Sequence, residues 1–255
     1  MKVSINVNPR KNPYLPVEAE GILPANFVSG SPEIMVWEGN KERHLSDLAT
    51  ITVEGEVSEA ADITLALSGE TALFKRVGEY MEEGTITVEG DIGMHCGNFM
   101  SGGLIEILGN AGGWLGREMK GGSILCHGDA GVYCGSGYRG EKHGMRGGKI
   151  EILGNAGDFC AEALSGGEVI VRGSCGDMAG VEMQDGKLII YGDCSRACGN
   201  MTGGVATIFG SVSGMLPTFR NEGEVVVDGH TLIQFTGDVA NRGKGTLRVA
   251  AYTCL

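Results

Sequence analysis

Between Gly84 and Gly229 the chain repeats one alternation of apolar and polar positions. Counted from the opening glycines Gly84, Gly103, Gly122, Gly148, Gly167, Gly186, Gly204 and Gly223, the second residue is Ile86, Ile105, Ile124, Ile150, Val169, Leu188, Ala206 and Val225. The fourth is Val88, Ile107, Cys126, Ile152, Val171, Ile190, Ile208 and Val227. Apolar positions two apart lie on one face of a strand, so each unit predicts one short half-buried strand. The openings fall 19, 19, 26, 19, 19, 18 and 19 residues apart. Such a period predicts stacked units whose equivalent strands pair in parallel.

The remainder of each unit is equally regular. The sixth position is always glycine, at Gly90, Gly109, Gly128, Gly154, Gly173, Gly192, Gly210 and Gly229, which predicts a corner needing positive φ or close backbone approach. The seventh (Asp91, Asn110, Asp129, Asn155, Ser174, Asp193) has the short polar side chains of turns. Positions eight and twelve, among them Cys96, Ala111, Cys134, Cys160, Cys175, Cys194 and Cys198, are small or apolar and are expected inside, as is the column Met81, Met100, Met119, Met145, Leu164, Met183, Met201. Outward positions carry Leu108, Ile170, Ile189 and Phe209, so part of that face is expected to be covered by a partner or by the N-terminal arm.

Ahead of the units, residues 1–32 hold five of the six prolines, and this segment predicts an extended arm that avoids internal pairing. Short β-like runs follow at 34–37, 51–53 and 63–67, and 71–81 suggests a short helix weakened by Gly78. The expected organisation is a proline-bearing arm with a first strand over 1–48, then a right-handed parallel β-helix over 49–255 with its repeats at 78–210. In fold class this is an all-β solenoid of about 19-residue coils with an extended N-terminal arm.

Composition narrows the function. Glycine supplies 45 of 255 residues without a collagen period, as a chain full of turns requires. The net charge of −12, spread along the chain, argues against nucleic-acid or anionic-membrane partners. No apolar run is long enough to span a membrane, and Met1–Asn6 lacks the apolar core of a signal peptide, so a cytoplasmic protein with free thiols is expected.

The chemical motifs mostly dissolve into the register. Gly90-x-x-Gly93-x-x-x-Gly97 resembles a phosphate loop, but it recurs unit after unit with no helix period and no Gly-Lys-Ser/Thr after it. Cys194-x-x-x-Cys198 with Cys160 and Cys175 invites a metal site, yet these residues fall in core columns, and cysteine is a good small core residue. Five histidines (His44, His95, His127, His143, His230) share no column or ligand spacing. The register breaks at 136–144, where the unit from Gly122 carries seven extra residues with a locally basic character. Insertions of this kind project from one face, which makes Arg139, Lys142 and His143 candidate partner contacts.

The block Gly-x-x-Met-x-x-Gly-x-Ile/Leu-x-Ile/Val-x-Gly, at 78–90, 97–109, 116–128, 142–154, 161–173, 180–192 and shortened in 199–210, resembles the repeats of the C subunit of formylmethanofuran dehydrogenase. Two copies depart from it: Lys142 replaces the leading glycine of one, and Ala161 and Leu164 replace Gly and Met in another. The glycine-rich repeat is also similar to the C-terminal domain of the glutamate synthase large subunit and to the C subunit of the bacterial formyltransferase/hydrolase complex. The first resemblance implies a non-catalytic scaffold in a complex that reduces CO2 with ferredoxin electrons and forms N-formylmethanofuran, the first step of methanogenesis. It implies no catalytic, cofactor-binding or metal residue on this chain. Tungsten or molybdenum pterin, iron–sulfur clusters and a dinuclear metal site are expected on pterin-binding and amidohydrolase-like partner subunits. The alternatives are the corresponding subunit of a split glutamate synthase and a polysaccharide-active enzyme, the latter lacking a coherent stripe of acids.

Overall fold

The apolar columns become ladders. In the computed structural model, which describes all 255 residues, Ile86 pairs in parallel with Ile105, Ile105 with Ile124, Ile124 with Ile150, Ile150 with Val169, Val169 with Leu188, and Leu188 with Ala206. Every one of these side chains is at most 1% exposed. Burial of each of the larger ones is worth roughly 1.5–3 kcal/mol. The methionine column is interior too, with Met81, Met100, Met119, Met145, Met183 and Met201 all at most 1% exposed.

The expected right-handed parallel β-helix is not what the chain builds. Its strands form one large mixed sheet of 14 strands, mostly parallel and not closed into a barrel. The order is Arg220–Val227, His230–Gly237, Gly245–Cys254, Val205–Met215, Asp185–Ile190, Ser165–Val171, Arg146–Ile152, Ser123–Cys126, Leu104–Ile107, Thr85–Val88, Thr64–Gly69, Lys2–Val7 and Ala49–Glu54, with Cys194–Ser195 beside Val205–Met215. A solenoid needs further sheets on its other sides. Here the second half of each unit supplies only single-residue bridges, such as Ile92 to Ala111 and Ala111 to Ala130. The physical cause is backbone conformation. Residues at alternate positions of these segments, for example His95, Gly97 and Phe99, have φ of 67°, 67° and 56°, and left-handed residues cannot continue an extended strand.

Both ends of the sheet also depart from the repeat. Lys2–Val7 pairs antiparallel with Ala49–Glu54 and parallel with Thr64–Gly69, burying Val3, Ile5 and Val7. The first prolines follow this strand, so its alternation is available for pairing after all. At the other end, Leu247 and Val249 take the places next to Ala206 and Ile208. Val225 and Val227, which the glycine spacing assigns to that ladder, instead lie in an antiparallel hairpin with His230–Gly237.

Residues 71–81 form no helix. Phe74–Lys75 pairs with Val17–Glu18 in a second sheet of four strands that also contains Met35–Glu38 and Lys41–His44. Arg76, Gly78 and Tyr80 already carry the left-handed alternation of the later turns, which a right-handed helix excludes. One hydrophobic core of 58 buried residues runs from Val3 to Val249, so the N-terminal segment and the repeating units pack as one body.

A polar ladder locks the turns together. Asp91 Oδ1 accepts the Asn110 N–H at 2.7 Å, Asn110 Oδ1 the Asp129 N–H at 2.8 Å, Asp129 Oδ1 the Asn155 N–H at 2.7 Å, and Asn155 Oδ1 the Ser174 N–H at 2.9 Å. These turn side chains therefore satisfy the neighbouring unit's amides rather than their own. Beside them Gly109, Gly128, Gly154, Gly173, Gly192 and Gly210 each lie so close to the preceding unit that a β-carbon would overlap it. Gly90 has no such close neighbour, and Gly229 belongs to the turn of the C-terminal hairpin.

Candidate functional site

The left-handed turn residues put side chains of successive units directly over one another. His95, Trp114, Tyr133 and Phe159 form one continuous ring stack, with centroids 5.1, 5.0 and 4.9 Å apart and planes within 16° of parallel. Tyr80 and Phe99 form a second stack beside it, 4.9 Å apart. The Arg117 guanidinium bridges the two, lying 4.5 Å from the Phe99 ring and 5.2 Å from Tyr138. Tyr138 in turn leans on Trp114 at 6.2 Å. Offset aromatic pairs contribute about 0.5–1.5 kcal/mol each beyond area burial.

No sequence motif announces this surface. Its signal is nevertheless present, since Trp114, Tyr133 and Phe159 follow one another at the same 19- and 26-residue steps as the glycines. Within a single unit they are only scattered aromatics. Their alignment emerges once the register is fixed.

The insertion places the predicted contacts around this surface. Tyr138, its aromatic member, is half-exposed and covers Arg117, whereas Arg139 is solvent-exposed beside Glu162 and Glu182 across a cavity of about 300 Å³. Burial, then the Glu182 charge, pushes the Glu162 carboxyl above its ordinary range, and Arg139 pulls it back. Lys142 accepts a hydrogen bond through its carbonyl from Gln184 Nε2 at 2.5 Å, and His143 Nδ1 meets Ser165 Oγ at 3.0 Å. The three predicted residues thus share one loop but not one pocket: Arg139 and Lys142 line the acidic cavity, and His143 anchors the loop's return.

His95 lies in a polar recess of about 360 Å³ with Arg76, Glu79, Asn98 and Arg117. Burial first, and then the positive charges of Arg117, Arg76 and Lys75, hold its ring down to about 4. An unfolded histidine titrates near 6.5. The unfolded chain therefore binds the proton more readily, and stability is complete above about pH 6.5 and declines as pH falls through about 4. His95→Asn, a residue that tolerates a left-handed backbone, is expected to flatten the decline of melting temperature between pH 7 and 4.5. An unchanged slope would show that His95 is not the titrating group.

On the outer face of the large sheet, Glu106 and Glu151 are paired with basic side chains of the next strand and, for Glu151, also of its own. Glu106 contacts His127 at 2.9 Å, and Glu151 takes Arg172 Nε at 2.9 Å and Lys149 at 2.8 Å. The hydrogen bond from Lys149, then that from Arg172, holds the Glu151 carboxyl low. Glycoside chemistry needs one carboxyl kept protonated opposite a second ionised one, and these pairs work against that arrangement.

Cys160 lies in the core between Cys134 and Cys175, and hydrogen bonds from these two thiols hold its own thiol below the ordinary range while theirs are pushed up. Seven cysteines are buried and Cys254 is exposed, and nowhere do three or more His, Cys, Asp or Glu side chains converge as a metal site would require. Burial pushes the Cys96 and Cys194 thiols to about 12 and Cys126 to about 11, far from the thiolate form that attacks or ligates. Cys198 departs from its predicted column. Its unit is one residue short, so Ala197 and Cys198 are shifted and Cys198 occupies the left-handed corner, φ 59°, held elsewhere by Gly180 or Ala161.

No protein-family model matches the chain. It is 49% identical over 237 residues to the C subunit of the tungsten-containing formylmethanofuran dehydrogenase 2 of Methanococcus maripaludis, a match covering 91% of this chain and 85% of that protein. It is 36% identical over 91 residues to the C subunit of the molybdenum-containing formylmethanofuran dehydrogenase 1 of Methanosarcina barkeri, which covers 34% of this chain and 30% of that protein's length. The structure superposes on a chain of the formyltransferase/hydrolase complex of Methylorubrum extorquens, solved with methylofuran, with a TM-score of 0.86 and 25% identity over 96% of this chain and 98% of that one. No helix is long and apolar enough to cross a membrane.

Proposed function

Because this chain belongs to the family of formylmethanofuran dehydrogenase C subunits, we propose that it is the structural, non-catalytic subunit of that oxidoreductase complex. Its partners are the other subunits of the complex. In this reading they reduce CO2 with ferredoxin electrons and form N-formylmethanofuran. The tungsten or molybdenum pterin, the iron–sulfur clusters and the dinuclear metal site reside on those partners, and the assembly works in the cytoplasm.

The observation that carries the scaffold role is the fate of the reactive side chains. Seven of the eight thiols are committed to the core, six of them with their acidity suppressed, and Glu106 and Glu151 on the sheet's outer face lie against His127, Lys149 and Arg172. What faces outward instead is a stiff array of stacked rings capped by Arg117, a surface of the composition that protein interfaces favour. Many interlocked backbone hydrogen bonds between units give this array a fixed shape on which two partners can be held at a set distance.

The test is to purify the native complex through a tag on this chain and then deplete the chain. Recovery of a pterin-binding and an amidohydrolase-like partner, with the partial reactions retained but formyl transfer between them lost on depletion, is the expected result. Full coupled activity without the chain would overturn the scaffold role.

A further inference from the structure

A cavity of about 560 Å³ lies far in sequence from the aromatic stack, where residues 8–12 pass the hairpin of Met35–Glu38 and Lys41–His44. Its wall carries four basic side chains, Arg10, Lys11, Lys41 and Arg43, against two acidic ones, Glu38 and Asp47. That balance runs against the chain as a whole, where acids outnumber bases 32 to 20.

The acids present are already engaged. Glu38 lies between two guanidinium groups, 3.8 Å from Arg10 Nη1 and 3.6 Å from Arg43 Nε. Asp47 accepts the His44 N–H at 3.3 Å. Arg10 is a structural member: its side chain is 3% exposed and donates to the carbonyls of Leu15 at 2.7 Å and Pro13 at 3.3 Å. Lys11 and Lys41 are exposed at the wall, form no ion pair, and leave the lining with a surplus of two positive charges. An ammonium group on a flexible stem is a mobile point charge, suited to a carboxylate whose position is set by the incoming partner. Leu15, 37% exposed, belongs to the same wall, and its chain neighbour Tyr14 is 87% exposed, an aromatic of the kind enriched at protein interfaces.

We propose that this cavity receives an acidic segment of a partner subunit, seating two carboxylates against Lys11, Lys41 and Arg43, with Leu15 as the exposed apolar member of the wall. Two carboxylates bring the lining to neutrality. The inference rests on the reading of this chain as a subunit and adds to it a second contact, independent of the aromatic stack and the insertion.

A zero-length carbodiimide applied to the native complex reads the contact directly, because it joins a lysine only to a carboxylate touching it. The expected product is Lys11 or Lys41 joined to an Asp or Glu of a partner. Intrachain links alone at both lysines would overturn the inference. In parallel, the charge-reversed pair Lys11→Glu/Lys41→Glu is expected to lower partner recovery about tenfold at physiological salt, with Lys11→Gln/Lys41→Gln intermediate and circular dichroism unchanged. Equal recovery at every salt concentration would overturn it. So would saturable binding of succinate that the Gln pair abolishes while partner recovery stays the same, which would identify a small-molecule site. A wild-type chain that retrieves no partner would overturn the subunit reading itself, whereas a retrieved complex indifferent to these lysines defeats this inference alone.

Discussion

Gly122→Ala is expected to destabilise the protein by about 3 kcal/mol or more, combining the left-handed penalty of about 1–2 kcal/mol with an overpacking cost of about 1–3 kcal/mol. The residue has φ of 78°, and a β-carbon there would stand 2.8 Å from the Gly102 carbonyl carbon, the Gly103 oxygen and the Met100 methyl. Two of these atoms are backbone of the preceding unit, which cannot yield without moving Leu104–Ile107 and the ladder it carries. Gly140 supplies the control. Its φ is 92° but nothing lies within 4 Å of its added β-carbon, so Gly140→Ala is expected to cost only the conformational part, about 1 kcal/mol. Urea titration of the two variants checks the difference. Equal midpoints would mean that close stacking of the units does not restrict this position.

Replacing Ile150 by alanine is expected to cost about 3–4 kcal/mol, since the side chain is fully buried and its neighbours are held in register on both sides. The δ-methyl of Ile150 fills the space beside Gly116, where a β-carbon would overlap it. Gly116→Ala should therefore be damaging alone and milder by about 1 kcal/mol or more in an Ile150→Val background, which lacks that methyl. A double-mutant cycle on melting temperature and urea midpoint measures the coupling. Strict additivity would show that the two positions do not share the space.

Both predictions concern contacts between residues about 20 to 34 apart in the chain, and this is where sequence and structure part company. The inward columns are legible position by position, because burial follows from the alternation of apolar side chains along a strand. Ile86 through Ala206, the methionines and most of the cysteines lie inside as that alternation requires. The polar seventh position is legible as turn chemistry, but its partners are not. The Asp129 side chain reaches the amide of Asn155 in the next unit rather than a near neighbour in its own.

The aromatic surface is less legible still. Trp114 and Tyr133 stack only because a left-handed backbone aligns them from unit to unit, and nothing in an isolated Gly-Trp-Leu-Gly or Val-Tyr-Cys-Gly segment announces positive φ at the ring-bearing residue. The predicted contacts Arg139, Lys142 and His143 lie where the register breaks. That break marks the loop but not Tyr138, the residue through which the loop joins the stack.

By itself, the sequence determined the short strands, their spacing, their inward faces and the family to which the chain belongs, all of which depend on local alternation or direct likeness. Tertiary structure alone decided how many sheets those strands make. The turns between them could have extended into further sheets, but closely stacked left-handed residues prevented it, leaving one large mixed sheet. It also decided that Lys2–Val7 enters that sheet and that Leu247, rather than Val225, follows Ala206. Pairing partners distant in sequence compete for the same edge, and the outcome depends on which strand buries its apolar face there, a comparison that no single segment contains.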